Sequence, residues 1–304
     1  MSPRKTDRRV HSFGGSWTIT KLDILKSYLA AYTKIFTSNK NAQFFDTFYV
    51  DAFAGSGYIK TPNEAVVEEP HLFEELAEEE PQQFLKGSVI CALETDPPFK
   101  NYLFIERSNR WCEELETLKQ RFPNRAASIQ IRNGDAKKNL LSWVQTQNWN
   151  KTRAVVFLDP YGMQVDWEII RALGRTQGVD LWLLFPLGVG VMRLLTRESP
   201  PPPAWSAALT RIFGSEDWKT EFYKSSSQTE MFEKFQPAQT REIDHTIVTR
   251  YITARLSQVF HAVHKEPLIL KNSRNNPLYI LCFAAGNPKG APTAMKIADY
   301  LIKN

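Results

Sequence analysis

The string Asp51-Ala-Phe-Ala-Gly-Ser-Gly57 constrains this chain more than any other feature of it. The residues around its start, Phe48-Tyr-Val-Asp-Ala-Phe53, read as a short buried strand, and a strand running straight into Gly55-Ser-Gly57 ends in a turn whose backbone a ligand can approach closely. Gly-x-Gly after a strand serves nicotinamide nucleotides too, so the turn selects a class of ligand before it selects a molecule. It also predicts β-α-β units, and the rest of the chain alternates accordingly.

Ahead of the turn, Thr20-Lys-Leu-Asp23 has the form of a capping box with Asp in place of Glu. Leu22, Leu25, Leu29, Tyr32 and Phe36 then recur at spacings of three and four, predicting a helix with one apolar stripe. Behind the turn, Thr61 to Gln83 is acidic and Pro-punctuated, the pattern of an exposed helix flanked by loops, and Gly87 to Leu93 is an apolar, helix-compatible run. Strands are expected at Tyr102 to Glu106, Ile129 to Asp135, Ala154 to Leu158 and Asp180 to Phe185, with helices at Trp111 to Phe122 and Trp167 to Leu173 between them. Residues from Val191 to Lys265 turn helical and irregular around Pro200-Pro-Pro-Pro203. Leu268 to Lys271 and Leu278 to Ala285 then form an antiparallel pair before a last helix from Ala294 to Ile302.

The expected fold is therefore α/β: a Rossmann-like, doubly wound, mostly parallel sheet with an antiparallel C-terminal strand pair and a helical insertion. Its parts are a basic arm and first helix over 1–45, a cofactor-binding core over 46–190 with an acidic insertion over 61–85, a helical insertion over 191–265, and closing strands and helix over 266–304.

No apolar run reaches the roughly 18 residues that span a bilayer, and the basic N-terminus has no apolar segment behind it, so a cytoplasmic protein is expected. Cys91, Cys112 and Cys282 are too few and too scattered for a disulfide framework or a metal cluster and read as core residues. The net charge of +5 conceals an asymmetry: residues 61–85 hold eight Glu and no Lys or Arg, so the remainder carries +13. Such a surplus suits a polyanion such as nucleic acid, although a soluble surface with one acidic helix gives the same count.

Ligands of doubly wound sheets bind at the carboxyl ends of the strands, where the order reverses. Asp51, Phe53, Gly55, Ser56 and Gly57 end the first strand and suit a cradle for the amino acid part of S-adenosylmethionine. Glu106, at the tip of the second, is placed to accept from both ribose hydroxyls. Asp135 would accept from the adenine amine, and Ala136 beside it would supply a backbone N–H. Asp159-Pro160-Tyr161 is the expected reaction centre: a carboxylate and a proline carbonyl can hold an exocyclic amine while the aromatic stacks on its base, and Gly162 and Trp167 continue that surface. Arg193 and Arg197 would meet phosphate near this face. His261 and His264 stand at helical spacing but lack the further ligands of a metal site.

Lys21-Leu-Asp-Ile-Leu25, Tyr49 to Gly57, Phe104-Ile-Glu106, Leu158 to Trp167, Asp180 to Gly188 and Arg193-Leu-Leu-Thr-Arg197 together resemble the three-Cys-motif partner family, TcmP. The resemblance implies a class I methyltransferase-like fold and a radical-SAM-like partner protein that itself carries the three cysteines. The loop Leu158-Asp-Pro-Tyr-Gly162 is similar to the Asp-Pro-Phe/Tyr-Gly loop of tRNA guanine N2-methyltransferases. It is more distantly similar to the Asp-Pro-Pro-Tyr loop of adenine N6-methyltransferases, whose second proline it lacks.

Three functions compete. The first is S-adenosylmethionine-dependent methylation of an exocyclic amine of a nucleic-acid base. The second is a non-catalytic, methyltransferase-fold subunit of the three-Cys-motif protein. The third is a nuclease or repair enzyme with a metal on Asp51, Glu106 and Asp159.

Overall fold

The structure, a computed structural model, describes residues 16–56, 58–59, 85–196, 200–223 and 244–304. The expected acidic helix of 61–83 lies outside them, as do Gly57 and Arg197. Chain order begins with helix α1 (Ser16–Ser38), strand β1 (Asp46–Asp51), the short strands β2 (Tyr58–Ile59) and β3 (Leu85–Lys86), α2 (Ser88–Leu93), β4 (Asn101–Glu106) and α3 (Asn109–Arg121). Next come β5 (Ile129–Asn133), α4 (Ala136–Thr146), β6 (Thr152–Leu158), α5 (Trp167–Arg175) and β7 (Val179–Phe185). A π-helical turn (Leu187–Val191) leads into α6 (Pro203–Phe213), α7 (Asp217–Phe222), α8 (His245–Ser257), β8 (Ala262–Val263), β9 (Leu268–Lys271), β10 (Pro277–Ala285) and α9 (Ala291–Lys303).

The main sheet runs β5-β4-β1-β6-β7-β10-β8, with β9 also paired to β10. Strands β5, β4, β1, β6 and β7 are parallel, and β10 returns antiparallel beside β7, pairing Ile280 with Phe185 and Ala285 with Asp180. This is the doubly wound, mostly parallel arrangement expected from the sequence, and its order reverses between β1 and β6. The final antiparallel pair is also present, joined by β8, a two-residue strand too short to leave a periodic signal.

Alternation along each strand feeds two cores. Val50, Val156, Leu158, Leu181 and Leu183 face a layer built on α4, α5, α6 and α8. Tyr49, Val155, Phe157, Trp182 and Leu184 face a layer of α1, α2, α3 and α9. The continuous apolar runs of β6 and β7 follow from this double cover, since a strand buried on both faces has no polar side to alternate with. Burying one such side chain stabilises the fold by roughly 1.5–3 kcal/mol. Trp218, Phe213 and Ile252 share the first layer, so the described helices of the 191–265 insertion complete the sheet's own core.

Two expectations about α1 part ways here. The apolar stripe is as read: Leu22, Leu25, Leu29 and Tyr32 are buried. The capping box is not, because the helix already begins at Ser16 and Thr20 to Asp23 lie inside it. Trp17 stacks on Tyr279 with ring centroids 5.1 Å apart, and this tertiary contact carries the helix a turn beyond its local start signal. His261 and His264 flank β8 rather than a helix, and His264 Nε2 lies 3.1 Å from Asp299 Oδ1. Cys91 and Cys282 are buried, while Cys112 is half-buried. No helix among the described residues is long and apolar enough to cross a membrane.

Candidate functional site

The carboxyl ends of β1, β4, β5 and β6 meet at one edge of the sheet, and hydrogen bonds tie them to one another. At the end of β1 the chain turns through Gly55 at φ +58°, a conformation that side chains rarely adopt. A Cβ built at Gly55 would meet no atom of the described residues within 4 Å, so among them the turn's glycine faces open space and is required by its backbone angle rather than by crowding. Its N–H donates to Glu106 Oε2 at 2.9 Å, while Ser108 N–H donates to Glu106 Oε1 at 2.8 Å. Glu106, only 8% exposed, thus straps the β1 turn to the end of β4, and its carbonyl accepts from Gly134 N–H beyond β5 at 2.9 Å.

Asp51 is fully buried, and three protein groups donate to it: the Ser88 hydroxyl from the first residue of α2, the Tyr49 hydroxyl at 3.3 Å and the Phe53 N–H at 3.2 Å. Burial pushes its carboxyl up to about 7, the charge of Asp159 adds to the rise, and the three hydrogen bonds oppose it. Asp51 therefore shapes the turn from behind, and the surface toward a ligand is backbone. Phe53 is half-buried and Ser56 is buried in the same turn.

Asp135 is exposed and caps α4: its Oδ1 accepts from Lys138 N–H at 2.8 Å, leaving Oδ2 with no partner among the described residues. Ala136 opens α4, where backbone N–H groups have no intrahelical acceptor. On the other side of the reversal, Asp159 leaves β6 and meets Lys21 of α1, whose Nζ lies 2.6 Å from Oδ2. The lysine side chain is 8% exposed and the aspartate 23%. Lys21 also stands 4.8 Å from the Trp17 ring centroid. Asp159 Oδ1 has no partner among the described residues. Pro160 is buried, Tyr161 is 62% exposed, and Gly162 turns the chain at φ +65°. One edge thus carries an open glycine turn, a strapped glutamate, an exposed aspartate and an oriented aspartate beside an exposed aromatic.

No known family model matches the chain, and no curated protein matches it. Among solved structures it is similar to a protein from Legionella pneumophila str. Philadelphia 1 with the family designation DUF519, at 13% identity and TM-score 0.46 over 94% of this chain and 91% of that one. It is also similar to spermidine synthase from Thermotoga maritima, at 9% identity and TM-score 0.40 over 95% of this chain and 72% of that one. A spermidine synthase in complex with the transition state analogue AdoDATO aligns at 9% identity and TM-score 0.40, over 95% and 71%. At such identities and scores the likeness is loose, and the strand order itself carries the fold.

Of the sequence-expected residues, Asp51, Phe53, Gly55, Ser56, Glu106, Asp135, Ala136 and Asp159 to Gly162 share this edge. Trp167 does not belong to an accessible stacking surface. It is 2% exposed, a Cβ on Gly214 would collide with its ring, and Arg255 Cζ covers it at 5.0 Å from the centroid, so it is a core residue at the start of α5. Arg193 is exposed just beyond the π-helical turn. The metal reading fails among the described residues: no group of three or more metal-ligating side chains occurs, and Asp51, Glu106 and Asp159 each spend oxygens on protein donors. Sequence reasoning missed Lys21 and Ser88 as site residues.

Proposed function

We propose that the chain is an S-adenosylmethionine-dependent methyltransferase that modifies an exocyclic amine of a nucleic-acid base. The observation that carries this reading is Asp159: oriented by Lys21 through one oxygen, with the other left for a donor, beside the exposed Tyr161. The cofactor, when bound, supplies an electrophilic methyl group. The residues present fit it: the open turn at Gly55 suits its amino acid part, Glu106 has lone pairs beyond those taken by Gly55 and Ser108, and Asp135 Oδ2 with the first N–H groups of α4 suits its adenine.

The chain's own part in the reaction is aim. Asp159 Oδ1 accepts one amine hydrogen, which fixes the nitrogen and turns its lone pair away from the carboxylate. Tyr161 stacks on the base and fixes its plane, and a base presented this way must be single-stranded or flipped out. Orientation of this kind supplies several kcal/mol of rate enhancement, roughly 7–11 in the best cases. The resemblance to TcmP implies a methyltransferase-like fold, in keeping with this cofactor, and does not name a reaction.

The test uses purified full-length protein. S-adenosylhomocysteine should bind, and a methyl-tritiated donor should label nucleic acid in a reaction that Asp159→Asn lowers at least about 100-fold without loss of cofactor binding. Label confined to protein or small molecules removes the nucleic-acid substrate. Cofactor binding with no transfer to any acceptor favours the accessory-subunit reading.

A further inference from the structure

A second concave surface begins where the acceptor loop ends. A cleft of about 590 Å³ lies over α5, between α4 and α6, lined by residues that include Lys137, Arg171, Arg175 and Arg211. Its upper end abuts the candidate site. Lys137 is two residues beyond Asp135, Asp166 caps α5 four residues beyond Gly162, and Arg211 Nη2 donates to the Met163 carbonyl at 3.4 Å. Leu141, Ala172 and Gly214 contribute an apolar floor.

The charges along the cleft are sorted. Lys137 takes both acids at the upper end, Asp166 at 2.8 Å and Glu168 at 2.6 Å. Arg211 reaches the upper end, where it donates to the Met163 carbonyl and its charge acts on Asp166, while Arg171 and Arg175 line the rest of the cleft without a carboxylate in an ion pair among the described residues. Arg171 and Arg175 stand one turn apart on α5, about 6 Å along its axis, and like charges at that spacing cost an isolated helix roughly 0.2–0.5 kcal/mol. A cation in the last turn suits the helix dipole, which accounts for Arg175 and for Arg211 on the facing helix but not for Arg171. Three guanidinium groups converging from two helices are what an extended anion requires.

We infer that this cleft is a track for the phosphodiester backbone of a single nucleic-acid strand, leading down from the loop Asp159–Gly162. The inference rests on the proposed function above and gives that site the direction in which its substrate lies. A base held at Asp159 leaves its strand to continue past Met163 and between α4 and α6. Each phosphate there meets a guanidinium, and the contacts carry affinity and register while the acceptor loop reads the base.

The experiment measures fluorescence anisotropy of a labelled single strand of about 20 nucleotides, as RNA and as DNA, with the full chain across a salt series. R171E/R175E is compared with K265E/K271E, which makes the same charge change beside β8 and on β9, at residues that do not line the cleft, and with the milder R171Q/R175Q. S-adenosylhomocysteine binding and Tm verify that each variant is folded. The expected result is at least about tenfold weaker strand binding for R171E/R175E, weaker binding for R171Q/R175Q, and a salt slope lower by about 1.4, the loss of two single-strand phosphate contacts. K265E/K271E stays within about twofold of wild type. If wild type binds and methylates the strand while R171E/R175E matches K265E/K271E, the track is overturned and the proposed function stands. If wild type binds neither RNA nor DNA, both fall.

Discussion

Replacing Lys21 by Met tests the ion pair on which the acceptor position rests. At 2.6 Å the gross attraction between Lys21 and Asp159 is about 6 kcal/mol at an effective dielectric of 20, most of it offset by taking the ammonium out of water. Breaking a fully buried pair costs about 3–5 kcal/mol, but Asp159 is 23% exposed, so water can partly replace the lysine and the expected loss is about 2 kcal/mol. Met keeps most of the length of the side chain and loses the ammonium that stands over the Trp17 ring. At roughly 2.1 cal/mol/K per residue, a chain of this length should lose about 3 °C in Tm. The decisive assay is a double-mutant cycle by urea unfolding with Lys21→Met, Asp159→Asn and the double variant, in which the coupling energy should exceed about 1 kcal/mol. If the single effects add to within about 0.5 kcal/mol, the pair does not hold Asp159 and the account of the acceptor loop is wrong. Lys21→Met should also retain S-adenosylhomocysteine binding while losing methyl transfer, separating orientation from cofactor affinity.

Asp180, buried against the Tyr28 hydroxyl, has its carboxyl pushed up to about 6 by burial, the Tyr28 hydrogen bond and the Arg153 charge acting against the shift. The folded state therefore binds the proton more tightly than the unfolded one, and its stability falls as pH rises from about 4 to 6. The stability of Asp180→Asn relative to wild type should accordingly rise by up to about 3 kcal/mol between pH 4 and pH 8 in denaturant titrations, and a flat difference refutes this. Gly214→Ala, at φ +70° and against the Trp167 ring, should cost more than about 2 kcal/mol. Gly55→Ala, strained but uncrowded, should cost about 1 kcal/mol and weaken S-adenosylhomocysteine binding, so equal stability losses in the two contradict the open turn. Thiol titration of the native protein at pH 8 should label Cys112 and spare Cys282, whose thiol burial pushes up to about 12; Cys112→Ser then removes the fast phase.

The strands were legible because double cover makes most of each one apolar: β6 and β7 announce themselves by their runs from Ala154 to Leu158 and from Leu181 to Phe185. Strand ends were legible for a related reason, since a polar residue stopping an apolar run, as Glu106 and Asp159 do, must sit at an edge. Side chains whose partners lie far along the chain were not. Ser88 bonds Asp51 from 37 residues away and has no local signature. Lys21 did leave one: it falls four and seven residues before the buried Leu25 and Tyr28, and a lysine on a buried stripe needs a partner. Trp167 was misread because proximity to Asp159 in sequence outweighed its own helix, where Ile170 and Leu173 repeat on the same buried face.

Strand β10 sets the order in which this molecule can be completed. All seven residues of β7 are buried, and among the described residues its outer edge pairs with β10, which begins at residue 277, some 90 positions after β7 ends. At ribosomal rates of roughly 5–20 residues per second, that edge waits several seconds to many seconds for its neighbour. A nascent chain stopped before residue 277 would display the unpaired edge of a strand that is apolar but for Asp180, the kind of template on which chains aggregate. C-terminal truncations should accordingly fail by insolubility, whatever their distance from the glycine turn.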